Sequence, residues 1–450
     1  MLRSNLHKAT RLSCGVSRGL ATQVRNSKLN NGISIYTDPS KTTNETTLLV
    51  QNAGSTAETP YNNGVAHLWS HYFQADKSLN QAANKNGSKL SSSLQRDYQT
   101  FSVQSSTDLS NSLQLLKENI LQQNADHTGL KDQVIQKIID QEESHQDRAV
   151  IEHLYSTAFQ NTPLSNPLLG TVDTVGDLTK EDINRFAQTT FHNTNNLSLL
   201  VSGPQVTSHE SIVEAVNNSL HELSSSTTGS KTLEKSSFLG SEVRLRDDTL
   251  PYAWISIAVE SESTNSPDRV ISDLASFIFG SYNAFEPKSR LQGIKLLDDL
   301  QEYQLCDNFN HFQLSHRDSG LWGVATRTSN VGNIDDLIHF TLKQWNRLSI
   351  SITDTELNRA KAQFKLALAQ KYSSSSSANN NWADFIVNYQ SQFNSLDELF
   401  TKIDTITIKD LKRWANKRLW DQDIAIAGMG QIEGLLDYMR IRNDMSMMRW

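Results

Sequence analysis

The 450 residues read as an α+β protein made of two related domains in tandem, each an antiparallel sheet packed with helices. Three features predict this. A helix–strand unit occurs twice, once before the midpoint and once near the end. Each half opens on two strands followed by a helix. A polar segment without periodicity separates the halves.

The repeated unit is the most specific of the three. Thr179 and Thr407 each stand where a helix N-cap belongs, with Asp182 and Asp410 three residues later, as in a capping box. The helices run to Phe191 and Leu419, and short strands follow at Leu197–Val201 and Asp423–Met429. Gly203 and Gly430 close them, 21 positions after Asp182 and 20 after Asp410. A polar segment and a further helix come next in both halves.

The openings match as well. Ile33–Tyr36 and Val243–Arg246 alternate as half-buried strands do. Second strands are expected at Thr46–Gln51 and Ala253–Glu260, and helices at Asn63–Gln74 and Pro267–Phe279. The expected division is an N-terminal domain over 25–221, a Ser/Thr-rich linker over 222–237 and a C-terminal domain over 238–450. Ser373–Ser377 followed by Asn379–Asn381 reads as another surface loop.

Residues 1–30 differ from the rest. They carry Arg3, Lys8, Arg11, Arg18, Arg25 and Lys28, no Asp or Glu, and interspersed Ser and Leu. That is the pattern of a mitochondrial transit peptide, expected over residues 1–20 with cleavage after Leu20. Its removal would take the net charge from −7 to −11. The acidity argues against a nucleic-acid partner. No apolar run reaches the roughly 18 residues of a membrane span. Two cysteines, Cys14 and Cys306, exclude a disulfide framework.

The helix expected after the first two strands carries Gly64-Val-Ala-His67-Leu-Trp-Ser70-His71. Strand, strand, then such a helix resembles the pitrilysin-type zinc peptidases, whose motif is His-x-x-Glu-His. Two His four residues apart share a helix face and can reach one Zn²⁺, and the Glu is the general base on the metal-bound water. His67 and His71 match the two His, and Ser70 replaces the base. The stretch Asp147–Leu164 resembles the family's downstream segment, and there Arg148 aligns with the metal-binding Glu. A fixed cation repels Zn²⁺, although Asp147, Glu142, Glu143 and Glu152 keep carboxylates nearby. The resemblance therefore implies a degenerate site at His67, Ser70, His71 and Arg148, with no catalytic residue, metal or cofactor.

That family includes the mitochondrial processing peptidase and the core proteins of the cytochrome bc1 complex. Phe238–Pro251, Phe279–Pro287, Leu300–Phe312, Lys417–Gly428 and Gly434–Trp450 resemble the core proteins of fungi. This resemblance implies a non-catalytic subunit, peripheral on the matrix side of the mitochondrial inner membrane. The implied partners are a second core protein, cytochrome b, cytochrome c1 and the other subunits of a dimeric complex III, which can join cytochrome c oxidase in a supercomplex. The enzyme reading is a processing peptidase using His67, His71 and Asp147 or Glu152. A third reading is an acidic module that holds basic presequences without cutting them.

Four of the six methionines, Met439, Met445, Met447 and Met448, lie in the last twelve residues, mixed with Arg440, Arg442, Arg449 and Trp450. Flexible apolar side chains, Arg and Trp suit a protein interface, so Met445, Met447, Met448, Arg449 and Trp450 are candidate partner contacts. A helix folded back on its own domain fits the same residues.

Overall fold

The computed structural model describes residues 24–447 except positions 42, 76, 106–108, 122–127, 205, 207, 221–233, 374–377, 390, 391 and 394. The expected transit peptide and most of the expected linker lie outside the described residues.

The first half contributes strands β1 (Arg25–Lys28), β2 (Ser34–Asp38), β3 (Glu45–Gln51), β4 (Ser88–Leu94), β5 (Tyr98–Ser105) and β6 (Leu197–Ser202). Its helices are α1 (Val65–Ala75), α2 (Lys77–Lys85), α3 (Leu109–Leu116), α4 (Lys131–Ser144), α5 (Gln146–Ala158), α6 (Val172–Asp177), α7 (Lys180–Thr190) and α8 (His209–Leu220). The second half supplies β7 (Glu242–Arg246), β8 (Ala253–Ser261), β9 (Ser281–Asn283), β10 (Asn308–Ser315), β11 (Gly320–Thr328) and β12 (Ile424–Gly430). Its helices are α9 (Arg269–Phe279), α10 (Lys295–Glu302), α11 (Ile334–Ile350), α12 (Asp354–Ser373), α13 (Ala378–Tyr389), α14 (Leu396–Thr405), α15 (Ile408–Arg418) and α16 (Tyr438–Met447).

The two sheets run β1-β2-β6-β3-β5-β4 and β7-β12-β8-β11-β10-β9. Dropping β1 from one and β9 from the other leaves the same five-strand order, which is the duplication seen in the sequence. Each sheet departs from pure antiparallel pairing once, at β2 with β6 and at β7 with β12. The reason is where the late strand lands. β6 inserts between β2 and β3 antiparallel to β3, so it must run parallel to β2. Both capping boxes form, with Thr179 and Thr407 accepting from the N–H of Asp182 and Asp410.

The halves exchange helices. α5 packs Val150, Leu154, Tyr155 and Phe159 on the second sheet, against Trp254, Ala258, Leu321 and Ala427. In return, α13 lies on the first sheet. Asn379 donates to the carbonyls of Glu45 and Leu200, and Thr100 Oγ1 donates to Asn380 Oδ1 at 2.8 Å. The Asn379–Asn381 run is therefore the start of a packed helix, not a surface loop, because these amides satisfy backbone and side-chain groups on the sheet. Ser374–Ser377 lie outside the described residues.

The core of the second half surrounds Trp322, Trp345 and Trp414, with His311 among them. Trp345 Nε1 donates to His311 Nε2 at 3.0 Å, and the imidazole stacks on Phe279. Burial pushes the His311 ring down to about 3, against a bond at Gly280 that raises it. It stays neutral in the fold while the unfolded chain takes up a proton below about 6.5. This share of stability is present above that pH and is lost as pH falls. Unfolding by urea at pH 7 and pH 5 should show about 2 kcal/mol lost through this residue. His311→Phe should flatten the dependence by that amount while lowering the pH 7 value, since the indole N–H loses its acceptor.

Candidate functional site

α1 begins where the backbone is pinned. Glu58, fully buried, accepts from the N–H groups of Gly64 and Ala66 and from Asn63 Nδ2. A carboxyl there satisfies the unpaired N–H groups of a helix start. Burial pushes Glu58 up to about 8, against the bonds from Ala66, Gly64 and Asn63. The other face of the helix start meets residues 169–170. Gly64 (φ +96°) and Gly170 (φ +81°) touch backbone to backbone, and a Cβ on Gly170 would lie 2.6 Å from Gly64 Cα. The contact brings the Leu169 carbonyl to His67 Nδ1 at 3.1 Å.

His67, Ser70 and His71 share one buried face of α1, as their spacing requires. The imidazole centroids are 6.5 Å apart. With Leu169 accepting at Nδ1, the free lone pair of His67 is on Nε2. Both nitrogens of His71 are engaged, by α4. Lys137 Nζ lies 2.9 Å from Nδ1, and Gln133 Oε1 lies 3.3 Å from Nε2. An ammonium can only donate, so Nδ1 accepts and the ring proton sits on Nε2. Burial lowers both histidines, His67 to about 4, and Lys137 adds to the effect. Burial also lowers Lys137.

Ser70 is not an activated nucleophile. Ser92 Oγ donates to the Ser70 carbonyl at 2.7 Å, so Ser70 Oγ donates to Ser92 Oγ at 2.8 Å. No base receives its proton.

Arg148 is elsewhere. It is exposed in the first turn of α5, and the histidines contact Leu169, Gln133 and Lys137 instead. The cation expected beside the metal motif is present, but α4 supplies it. Nor does Glu152 serve as a ligand. It pairs with Arg96 at 2.6 Å and accepts from Leu168 N–H. Gln133 and Lys137 stand four apart, so a search for helix-spaced partners upstream of Asp147 would have found them.

The donor set does not fit zinc. A zinc site needs three protein ligands around an open position, and here a cation, an amide and a hydroxyl surround one usable imidazole nitrogen. Ser70→Glu is therefore expected to add the missing base without creating a peptidase. Incubation with zinc and a basic presequence peptide should give no cleavage above the parent chain. Cleavage would show that the α4 face can be displaced by metal.

Of the candidate interface residues in the tail, Met445 is fully buried in the core of its own domain, beside Ile441. This differs from the expected partner contact, because α16 folds back and uses its apolar stripe internally. Met447 ends the helix, and Met448, Arg449 and Trp450 lie outside the described residues.

Comparison with known proteins agrees with this arrangement. Residues 34–172 match insulinase (peptidase family M16), and residues 177–364 match the peptidase M16 inactive domain. The chain is 51% identical to cytochrome b-c1 complex subunit 1, mitochondrial, of Saccharomyces cerevisiae, over 100% of both chains. It is 32% identical to the probable mitochondrial-processing peptidase subunit beta of Schizosaccharomyces pombe, over 94% of each. Among solved structures, a chain of complex III2 from Candida albicans with Inz-5 bound superposes with a TM-score of 0.86 at 34% identity, covering 94% of this chain and 100% of that one.

Proposed function

The chain belongs to the M16 peptidase family, and from that premise we infer that it is a non-catalytic core subunit of the mitochondrial cytochrome bc1 complex. It lies on the matrix side of the inner membrane and supports an assembly that passes electrons from ubiquinol to cytochrome c. The observation that carries this reading is the full-length likeness to cytochrome b-c1 complex subunit 1. The site agrees with it, since Lys137 and Gln133 occupy the ligand sphere of His71. Its partners are the second core protein, cytochrome b, cytochrome c1 and the other subunits of dimeric complex III. No helix among the described residues is long and apolar enough to cross a membrane, in keeping with a peripheral place.

Scaffolding of this kind works through area and shape. The exchange of α5 and α13 ties the halves together through apolar packing and hydrogen bonds, which suits a support. We extend the reading to residues 1–20 as a transit peptide, to be checked by sequencing the N-terminus of the mature chain.

The direct test is extraction of mitochondria in mild detergent and pull-down through this chain, with haem absorbance and zinc read on one eluate. A large assembly rich in b- and c-type haem is the expected result. A small soluble heterodimer with stoichiometric zinc that cuts presequences would overturn it in favour of the processing peptidase.

A further inference from the structure

On a chain of net charge −7, the stretch from Pro287 to Leu297 carries only positive charge. It holds Lys288, Arg290 and Lys295 and no Asp or Glu. Its first residues form a 3₁₀ turn, Pro287–Leu291, in the loop between β9 and α10. Phe285 precedes the turn and is 73% exposed, and Leu291 ends it and is 85% exposed. Lys288 and Arg290 are exposed between them. One exposed apolar side chain is ordinary on a protein surface. Here an aromatic ring, a leucine and an arginine share one short loop, and aromatic residues and Arg are enriched at protein interfaces.

The loop holds these side chains out on a fixed frame. β9 pairs with β10 over Ser281–Asn283, and Ala284 N–H donates to the Asp307 carbonyl at 2.8 Å. Asn283 N–H donates to Ser289 Oγ at 2.9 Å, and Phe285 N–H donates to Asn283 Oδ1 at 3.1 Å. Ser289 is the buried anchor of the turn, and its N–H donates to the Glu286 carbonyl at 2.9 Å. Gln292 Nε2 donates to the Ser281 carbonyl at 2.8 Å and to Ser289 Oγ at 3.2 Å. From α12, Arg359 donates to the carbonyls of Gln292 and Gly293. A loop ordered in this way has little freedom left to lose on binding. Lys295 lies 4.0 Å from Glu356, whereas Lys288 and Arg290 take part in no ion pair among the described residues.

The charge pattern favours a protein over a lipid surface. An anionic bilayer presents one sign of charge, and the exposed carboxylate of Glu286 stands beside Phe285. Lipid headgroups would repel it, while a protein can set a donor against it. We propose that the Phe285–Leu291 loop is a docking knob for another protein chain, one that offers an apolar socket to Phe285 and Leu291 with Asp or Glu side chains on its rim. The two apolar side chains supply the desolvated centre of the contact. Lys288 and Arg290 meet the rim carboxylates, fix the register and turn away unlike partners. The contact is the same whichever assembly the chain joins.

The test places a benzophenone amino acid at Leu291 of the full chain in intact mitochondria and irradiates the assembly purified through it. A cross-link to one protein chain is expected, at a peptide that carries Asp or Glu. Amide exchange over residues 283–293 should be at least about tenfold slower in the assembly than in the free full chain. The double change Lys288→Glu and Arg290→Glu should remove the cross-link, and reversing the mapped carboxylates to Lys should restore it. Should the double variant fail to accumulate, the exchange measurement on the parent assembly decides alone. A cross-link to phospholipid, or none, would overturn the proposal. So would unchanged exchange over residues 283–293, or a cross-link that charge reversal leaves intact. Haem absorbance of the same preparation reports separately on the assembly. A charge-dependent cross-link in a preparation without haem upholds the docking knob and overturns the core-subunit reading instead.

Discussion

Replacing Arg96 by alanine is expected to cost the fold about 3–5 kcal/mol, the amount typical of breaking a buried pair by removing one partner. The Arg96 side chain is 5% exposed. Its guanidinium pairs with Glu152 at 2.6 Å and donates to the carbonyls of Leu164 and Asn166. It also lies 3.7 Å from the ring centroid of Tyr155. Tyr155 and the neighbouring Asp97 carry the contact across to the other half. Tyr155 OH donates to His316 Nε2 at 2.6 Å, and His316 Nδ1 donates to Asp97 Oδ2 at 2.8 Å. Alanine would leave a carboxylate and two carbonyls without their donor. Arg96→Lys keeps the charge but cannot reproduce the fork, so a loss of about half that size is expected. Chemical denaturation of the purified chain checks both, and a loss under about 1 kcal/mol for alanine would contradict the role assigned to the pair.

The second large effect is expected from Gly170→Val, again about 3–5 kcal/mol, from strain at positive φ together with overpacking. Valine is poorly suited to a φ of +81°, and its Cβ would meet Gly64 Cα at 2.6 Å and Gly64 N at 2.9 Å. The start of α1 would have to move, taking His67 away from the Leu169 carbonyl. Gly176→Ala serves as the control. A Cβ there meets nothing within 4 Å, and the position lies in α6. It should be neutral or stabilising by up to about 1 kcal/mol. Thermal unfolding of the two variants, with complex III content measured in cells, separates a packing defect from a general intolerance of glycine replacement.

The two capping boxes illustrate what was legible without coordinates. A Thr with an Asp three residues later suffices to start a helix, because the bonds involved are local. The paired strands before each first helix were legible for a similar reason, since alternation reflects the two faces of a sheet. His67, Ser70 and His71 were placed on one face by helical spacing alone. The third position was not. The family resemblance of Asp147–Leu164 pointed to Arg148, whereas the side chain that meets His71 is Lys137, on a different helix. Residue count does not report which turn of which helix crosses α1.

The same limit explains the tail and the asparagine run. Met445 among arginines looked like a surface residue awaiting a partner, and it is instead the inner face of α16. Asn379–Asn381 looked like a loop because polar runs usually are, but a sheet from the other half offered carbonyls and side chains to bind.

By itself the sequence determined the α+β class, the duplication, the helix starts and the loss of the catalytic base, all of which depend on residues within a few turns or strands of one another. Only the tertiary structure decided that α5 and α13 change places, that Lys137 rather than Arg148 stands against the histidine pair, and that Phe285 and Leu291 stay uncovered at the surface. Those outcomes depend on which distant surfaces meet, and burying apolar area is non-directional, so the pattern along the chain says that a face will be covered but not by what.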